Sequence, residues 1–389
     1  MTFAPAPDRG FPVGEYKARL AHTQRRMAHA GLAALLLTTE PEIRYFTGFL
    51  TRFWESPTRP WFLIVPASGD PVAVIPSIGA ALMGQTWISD IRTWSAPDLV
   101  DDGVSLLADT LKEICGAKGM IGMPSGHETH VRMPVEDISR LKALLPQHDM
   151  TGDHDIMRAL RMVKSDLEVA KIKHACQIAG LAFARVGDIA GAGVPLDLVF
   201  RRFQMLCLEE GADWVPYLAG GAGPDGYGDV ISPATTIPLQ QGDIMMLDTG
   251  LVWDGYFCDF DRNFAIGAPS EIAKSGHATL MDAIQVGADA ARPGTTAADV
   301  FHAMDKIVTG GAGGSEAGRL GHGLGMQLTE WPSFIAGDDT VLEKGMVMTL
   351  EPGIEIAPGR ILVHEEDILI TNGAPEFLSP RAGPDLPIL

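Results

Sequence analysis

The 389-residue chain is longer than a single hydrophobic core usually supports, so we expect two domains or one large one. Hydrophobic residues make up 46% and charged residues 20% of the chain, a composition that supports a core and excludes a disordered or fibrous protein. The net charge of −19 repels polyanions, and we therefore expect no nucleic-acid partner.

The cysteines and the amino-terminal residues indicate the cellular compartment of the protein. The four cysteines lie far apart without a C-x-x-C pair, which argues against a zinc ribbon or a disulfide framework and favours a reducing cytoplasm. The segment MTFAPAPDRGF lacks the apolar stretch of a signal peptide, and no apolar run approaches the roughly 18 residues that span a bilayer. We expect a cytoplasmic protein that is neither exported nor inserted into a membrane.

The first part of the chain is typical of an α/β domain. After a proline-rich tail over residues 1–12, an amphipathic helix is predicted at 15–30, ended by Gly31, and a buried strand at 32–38. Further strands are predicted at 61–66, 71–76 and 119–123, and further helices at 103–114 and 135–145. These elements predict one α/β domain over residues 13–155.

The second part, residues 156–389, is typical of an α+β domain. It begins with apolar residues at helical spacing over 157–187, with Ser165 as a candidate N-cap. Helices predicted at 196–210, 276–291 and 297–308 alternate with glycine-rich loops and hairpins, which favours antiparallel pairing.

A hairpin within GDIMMLDTGLVWDGYFCDFDRNFAIG is the most informative segment. Asp254-Gly255 favours a two-residue type I′ turn, which pairs Trp253 with Tyr256, Leu251 with Cys258, Gly250 with Asp259, and Asp248 with Asp261. Because side chains alternate along a strand, Asp248, Asp259 and Asp261 then share one face, where their charges repel unless a cation lies between them. A divalent metal could be that cation. Alternatively, Asp259 and Asp261 face solvent with Arg262 as an ion-pair partner.

Three more polar residues interrupt apolar or glycine-rich segments. His322 lies between glycines in GRLGHGLGMQLTEWP, Glu351 ends the apolar run MVMTL, and Glu365 lies inside ILVHEEDILIT, on the face shared with Asp367. A structural histidine and an exposed turn glutamate are the alternatives for the first two. Taken together, Asp248, Asp259, His322, Glu351 and Glu365 form an oxygen-rich set suited to two divalent ions of the Mn, Co, Fe or Zn type.

These motifs resemble the pita-bread metallohydrolases: methionine aminopeptidase, Xaa-Pro aminopeptidase, prolidase and the metal-free relative creatinase. The resemblance rests on DTG and DFDR with Asp259 eleven residues after Asp248, then GHGLG, LEPG and EED, and it extends to LRMVKSDLEVAKIKHA and to EIRYFTGF in the first domain. It implies a creatinase/prolidase-like α/β amino-terminal domain followed by an α+β pita-bread catalytic domain, and a homodimer.

The resemblance also implies residue roles. Asp248 would chelate one metal, His322 and Glu351 the other, and Asp259 and Glu365 would bridge the two. Glu351 would carry the proton of the metal-bound hydroxide to the leaving group, while the metals polarise the scissile carbonyl.

Several residues depart from the pattern of Xaa-Pro peptidases. A second histidine normally follows the metal histidine by seven residues in a His-Glu pair, and here the segment is Thr329-Glu330-Trp331. A histidine expected before the first aspartate is replaced by Ile231 or Ser232, and an arginine before the last glutamate by Val363. This segment therefore lacks the His-Glu pair of the family, and Thr329, Glu330 and Trp331 are candidate substrate-binding residues.

An aromatic segment over residues 51–62 supplies further candidates. Trp54 and Trp61 offer faces for a cation, and Arg52 or Arg59 a clamp for a carboxylate, unless these residues simply pack within a domain or dimer. Tyr227, in a glycine-rich loop, is another candidate pocket residue.

Our leading hypothesis is a dinuclear metallohydrolase that cleaves an amide bond, most like an Xaa-Pro dipeptidase or aminopeptidase. A second hypothesis keeps the metals and replaces the peptide by a small non-peptide molecule, as in ectoine hydrolase or the lyase of dimethylsulfoniopropionate. A third is a non-catalytic binding protein on the same fold, which an intact ligand set argues against.

Overall fold

The computed structural model describes residues 5–56, 59–314 and 318–389. Its Cα positions separate into two compact units: one is Asp8–Arg161, and the other is Met162–Leu389 together with residues 5–7. The division falls after residue 161, whereas the sequence predicted it after residue 155. The intervening residues stay with the first unit because the Met157 N–H is bonded to Asp153 at 2.9 Å and the Tyr45 hydroxyl donates to the Leu160 carbonyl at 3.4 Å.

The first unit is an α/β layer structure. Its elements are α1 Val13–Ala30, β1 Leu32–Leu37, α2 Glu40–Thr47, β2 Phe62–Pro66, β3 Val72–Pro76, α3 Ala80–Met83, β4 Asp90–Trp94, α4 Val104–Cys115, β5 Met120–Met123, α5 Val135–Leu144, β6 Asp149–Gly152 and α6 Ile156–Met162, with 3₁₀ turns at Arg52–Glu55 and Ser77–Gly79. Within the described residues the strands form a mixed sheet in the order β4-β3-β2-β1-β5-β6. The predicted helix–strand opening is confirmed, and Gly31 ends α1 with a φ of 71° that favours glycine.

The second unit consists of antiparallel sheets covered by helices. Its elements are α7 Asp166–Ala184, a 3₁₀ turn at Val186–Asp188, α8 Leu196–Glu209, β7 Trp214–Pro224, β8 Asp243–Trp253, β9 Tyr256–Phe257, β10 Phe260–Ala265, α9 Glu271–Ala290, α10 Ala297–Val308, β11 His322–Gly323, β12 Glu330–Ser333, β13 Val347–Leu350, β14 Gly353–Ala357, β15 Arg360–Val363, β16 Glu366–Leu369 and β17 Glu376–Phe377. One sheet has the order β10-β8-β7 with β9 beside β8, another the order β12-β11-β13-β16-β17, and β14 pairs with β15. The α+β prediction is therefore confirmed.

The helical pattern predicted over residues 157–187 is two helices rather than one. The chain leaves α6 at Val163, which bridges to Met346, and the Lys164 N–H is bonded to the Gly345 carbonyl at 2.9 Å. Ser165 then begins α7 with a capping box, in which its side chain and that of Glu168 satisfy each other's backbone N–H groups. Local periodicity did not predict this break because a tertiary contact causes it.

The core of the second unit lies between the helices α9 and α10 and the five-stranded sheet. Ile284 and Val300 on the helices pack with Met348 and Ile368 on the strands, all of them fully buried. Helix α9 begins at Glu271, five residues before the prediction of 276, because the Ser270 side chain caps it by accepting the Ala273 N–H at 3.2 Å. None of the described helices is both long and apolar enough to cross a bilayer.

Candidate metal centre

The predicted hairpin forms with the predicted register. Asp254 and Gly255 have φ of 46° and 79°, as a type I′ turn requires. Trp253 pairs with Tyr256, and Asp261 lies opposite Asp248. The sheet therefore brings the carboxylates of β8 and β10 to one place.

Asp248 is held by a neighbour that the sequence did not single out. The Tyr217 hydroxyl on β7 donates to Asp248 Oδ2 at 3.0 Å, whereas Oδ1 is buried without a hydrogen-bond donor among the described residues. Tyr217 pairs with Gly250 on β8, where an added Cβ would lie 2.1 Å from Leu328 Cδ1 and 3.3 Å from the Tyr217 Cβ. A tyrosine on a strand carries no sequence pattern that predicts this contact.

His322 presents one ring nitrogen to the carboxylates. Its Nδ1 lies 2.9 Å from the Gly323 carbonyl, an atom that only accepts, so in the neutral ring Nδ1 carries the proton and Nε2 does not. Nε2 is 3.5 Å from Asp259 Oδ2 and 3.7 Å from Glu351 Oε2. The residue is buried in β11, and this is the tautomer that a metal ligand needs.

Glu351 follows β13 and is the most exposed of the acidic residues whose side chains surround His322. Its side chain is 20% exposed, and its Oε1 lies 3.4 Å from the Arg319 Nε. The same guanidinium donates to Thr329 Oγ1 at 3.4 Å. Arg319 was missed in the sequence because a loop residue three positions before a histidine carries no pattern.

Glu365 lies between β15 and β16 and is 4% exposed. Ligand atoms of Asp259, His322 and Glu365 lie within 4.8 Å of one another. Glu365 Oε1 has no hydrogen-bond donor among the described residues. The alternative of solvent-facing carboxylates on the hairpin is wrong, since Asp259 and Asp261 are 4% and 1% exposed.

The electrostatics of the site fit a bound cation. Burial raises the pKa of Asp248, Asp259 and Glu365 well above the usual carboxylate range, and repulsion from neighbouring carboxylates, Glu351 among them, raises it further. Buried oxygens that repel each other and lack donors are the arrangement that divalent cations stabilise. The donor set therefore fits the metal that the sequence predicted.

A second layer of charges lies behind these residues. Glu366 is bonded to Arg262 Nη2 at 2.9 Å and lies 3.2 Å from His364 Nε2, while His364 Nδ1 lies 3.5 Å from Asp261 Oδ1. Although burial alone would raise the pKa of Glu366, Arg262 and His364 lower it to about 2. This layer places Arg262 and His364 beside the carboxyl groups of Asp261 and Glu366.

The candidate substrate residues of β12 are largely engaged within the protein. Glu330 is 9% exposed, lies 3.2 Å from Lys164 Nζ and accepts the Met326 and Gln327 N–H groups. The Trp331 Nε1 donates to Thr340 Oγ1 at 3.1 Å. Thr329 is the member of the trio that joins the centre, through Arg319.

The remaining candidates have partners within their own units. Tyr227 is 1% exposed, and its hydroxyl donates to Asn263 Oδ1 at 3.1 Å and accepts the Val363 N–H at 2.7 Å. In the first unit, Trp54 packs against Trp61, with ring centroids 5.6 Å apart, and under the Arg132 guanidinium, whereas the exposed Arg52 pairs with Glu55. Residues 57 and 58 of this aromatic segment lie outside the described residues.

The fold and the centre together define a metal-dependent hydrolase with an accessory amino-terminal domain. Residues 170–372 match the model of metallopeptidase family M24, and residues 19–163 match that of the creatinase/prolidase N-terminal domain. The chain belongs to metallopeptidase family M24, and the recognition made from its motifs is confirmed.

Similar proteins cover nearly the whole chain. A probable dipeptidase PepE from Mycobacterium bovis is 30% identical over 369 residues, which are 94% of each protein, and an Xaa-Pro dipeptidase from Lactobacillus delbrueckii subsp. lactis is 27% identical over 91% of this chain and 95% of its own. The crystal structure of dipeptidase PepE from Mycobacterium ulcerans superposes with a TM-score of 0.84 at 29% identity, covering 97% of this chain and 99% of that one.

Proposed function

We propose that the protein is a dinuclear metallohydrolase that cleaves the amide bond of small Xaa-Pro peptides, as a dipeptidase or an aminopeptidase. The buried group of Asp259, His322 and Glu365, with Asp248 and Glu351 beside it, is the observation that carries the proposal. The names of the similar dipeptidases support the peptide substrate.

Each ligand has a defined part in this proposal. Asp248 would hold one ion, His322 Nε2 and Glu351 would hold the other, and Asp259 and Glu365 would serve both; Mn, Co, Fe and Zn all suit such a set. Bound in pairs, such ions lower the pKa of water to supply a hydroxide nucleophile and polarise the scissile carbonyl.

Glu351 is placed to move the proton. Its side chain is the partly exposed one of the set, which leaves it accessible to a substrate, and the Arg319 Nε lies 3.4 Å from its Oε1. Glu351 therefore accepts the proton of the nucleophile and delivers it to the leaving nitrogen. Thr329, tied to the same guanidinium, is the polar group that a substrate meets next.

The compartment and assembly are part of the proposal. Cys115, Cys176, Cys207 and Cys258 are all free thiols, which supports a reducing cytoplasm. We also propose a homodimer, on family resemblance, and a small peptide or small molecule as the substrate.

Cleavage of Xaa-Pro dipeptides and longer Xaa-Pro peptides tests the function directly. Protein reconstituted with Mn²⁺ is assayed beside its Asp259→Ala variant, which removes a bridging carboxylate. We expect proline release that the variant loses. Metal-loaded wild-type protein that cleaves none of these peptides contradicts the peptide substrate but not the metal centre.

A second candidate function is hydrolysis or elimination of a small non-peptide zwitterion at the same metals. The observation in its favour is Thr329, which stands where Xaa-Pro peptidases carry a second histidine. A Thr329→His variant distinguishes the peptidase function from the small-molecule function. Faster Xaa-Pro cleavage supports a peptidase that works without this imidazole, whereas loss of turnover of a zwitterion panel by the same variant supports the alternative.

A further inference from the structure

The two bridging residues occupy the same kind of position in two different sheets. Asp259 directly precedes β10 and Glu365 directly precedes β16, and both fall outside the strand pairings of the described residues. The ladder hydrogen bonds that fix most strand residues therefore do not fix either backbone. Something else must hold these two residues at the separation that a shared pair of ions requires.

Each of the two backbones is bonded to the other strand. The Asp259 N–H donates to Asp367 Oδ2 on β16 at 3.0 Å, and Arg262 Nη1 on β10 donates to the Glu365 carbonyl at 3.0 Å. The contacts are reciprocal, because each strand supplies the side chain that fixes the bridging residue of the other.

Arg262 is itself tightly fixed. It is 9% exposed, its Nη2 donates to Glu366 Oε2 at 2.9 Å and to the Pro380 carbonyl at 2.5 Å, and its guanidinium lies 4.6 Å from the centre of the Phe260 ring. A planar guanidinium presents its donors on separate nitrogens at fixed positions, whereas the three N–H donors of a lysine all leave one nitrogen and cannot span the same two acceptors in this geometry.

We propose that Arg262 and Asp367 are positioning residues that set the separation of the Asp259 and Glu365 carboxylates before metal binds. The inference rests on the proposed two-metal function and deepens it. A purely structural role for Arg262 and Asp367 would affect stability alone. A positioning role predicts, in addition, a specific effect on metal binding.

Arg262→Lys tests the proposal. Apo protein is titrated with Mn²⁺ by calorimetry, and the loaded protein is examined by electron paramagnetic resonance, which distinguishes exchange-coupled ions that share bridges from isolated ones. Arg19→Lys is the matched control, because Arg19 is also buried and donates to a carbonyl, Tyr45 O, and to a carboxylate, Glu15, in the other unit.

We expect Arg262→Lys to weaken Mn²⁺ binding about 10–100-fold, the usual loss when a residue behind a ligand is removed, and to replace the coupled signal by that of isolated ions. Arg19→Lys should leave both unchanged. If Arg262→Lys binds Mn²⁺ as tightly as wild type with the coupled signal intact, or if both variants weaken binding equally, the proposal is wrong.

The wild-type spectrum separates this inference from the proposed function. An uncoupled wild-type signal with one bound ion contradicts the two-metal function. Arg262 is still tested in that case, because Asp259 and Glu365 belong to one ligand group and the affinity of a single ion depends on their separation.

Discussion

At the scale of single residues, the atoms of each ligand have separate tasks. Asp248 Oδ2 accepts the Tyr217 hydroxyl while Oδ1 has no donor among the described residues, and His322 Nδ1 lies against the Gly323 carbonyl. In the centre proposed above, Asp248 Oδ1 and His322 Nε2 would be the atoms that face a cation. Such outer hydrogen bonds fix the orientation and protonation state of a ligand before the metal arrives.

Glu351→Gln tests the proton-transfer role. Glutamine keeps the size and one oxygen of the side chain but cannot accept a proton, so we expect kcat to fall about 10²–10⁴-fold with KM little changed. Steady-state kinetics on the metal-loaded enzyme measure both constants. Glu343→Gln, a change of the same kind at an exposed residue, is the control; a Glu351→Ala enzyme that remains active contradicts the role.

The sequence was most informative where a residue type was out of place. A carboxylate ending an apolar strand and a histidine between glycines are visible without a structure, and those residues meet in the fold. Tyr217, Arg319 and Asp367 were not predicted as parts of the centre because a tyrosine on a strand, an arginine in a loop and an acid in an acidic run are common. Only the tertiary pairing gives them partners.

At the scale of elements, the site depends on short strands whose backbones pack closely against each other. Gly321, just before β11, has a φ of 145°, and a Cβ there would lie 2.3 Å from the Thr349 carbonyl on β13. A side chain at this position therefore meets backbone atoms that cannot move without displacing the strand that carries Glu351.

We expect Gly321→Ala to destabilise the metal-free protein by about 1–3 kcal/mol, the usual cost of an enforced unfavourable backbone conformation, and to weaken metal binding through His322. Chemical unfolding followed by circular dichroism measures the first effect. Gly337→Ala is the control, because a Cβ there meets open space at an ordinary φ. Equal stability of the two variants would contradict the prediction.

Hairpin register was predictable because Asp254-Gly255 determines it locally, and a capped helix start was predictable at Ser165. The break between α6 and α7 and the division of residues 360–369 into β15 and β16 were not. Both breaks involve partners far along the chain. Lys164, after α6, is bonded to Gly345, and Glu365, between β15 and β16, is bonded to Arg262.

At the scale of the whole molecule, the metal centre links stability to pH. Asp248, Asp259 and Glu365 have a folded-state pKa well above the unfolded one, mainly because they are buried, and burial raises the pKa of Asp367 to about 7. Between the unfolded and folded values the native state binds more protons, so stability falls as pH rises.

We therefore expect the Tm of the metal-free protein to fall as pH rises from about 4.5 to 7, as carboxyls with raised pKa values lose protons. Divalent metal binds the deprotonated form, so the increase in Tm that it causes should grow over the same range. Calorimetric scans with and without Mn²⁺ measure both trends. A Tm of the metal-free protein that rises steadily to pH 7 would show that these carboxyls are not destabilising.

The residues that surround the centre are far apart along the chain, and this separation matters while the protein is being synthesised. Asp259 and its partner Asp367 are 108 residues apart, and Arg262 and the Glu365 carbonyl are 103 apart. A nascent chain that has emerged only as far as α10 already carries Asp248 and Asp259 but neither Glu365 nor the contacts that orient it. We therefore expect the candidate group of Asp259, His322 and Glu365 to be complete only after the chain has been synthesised past β16.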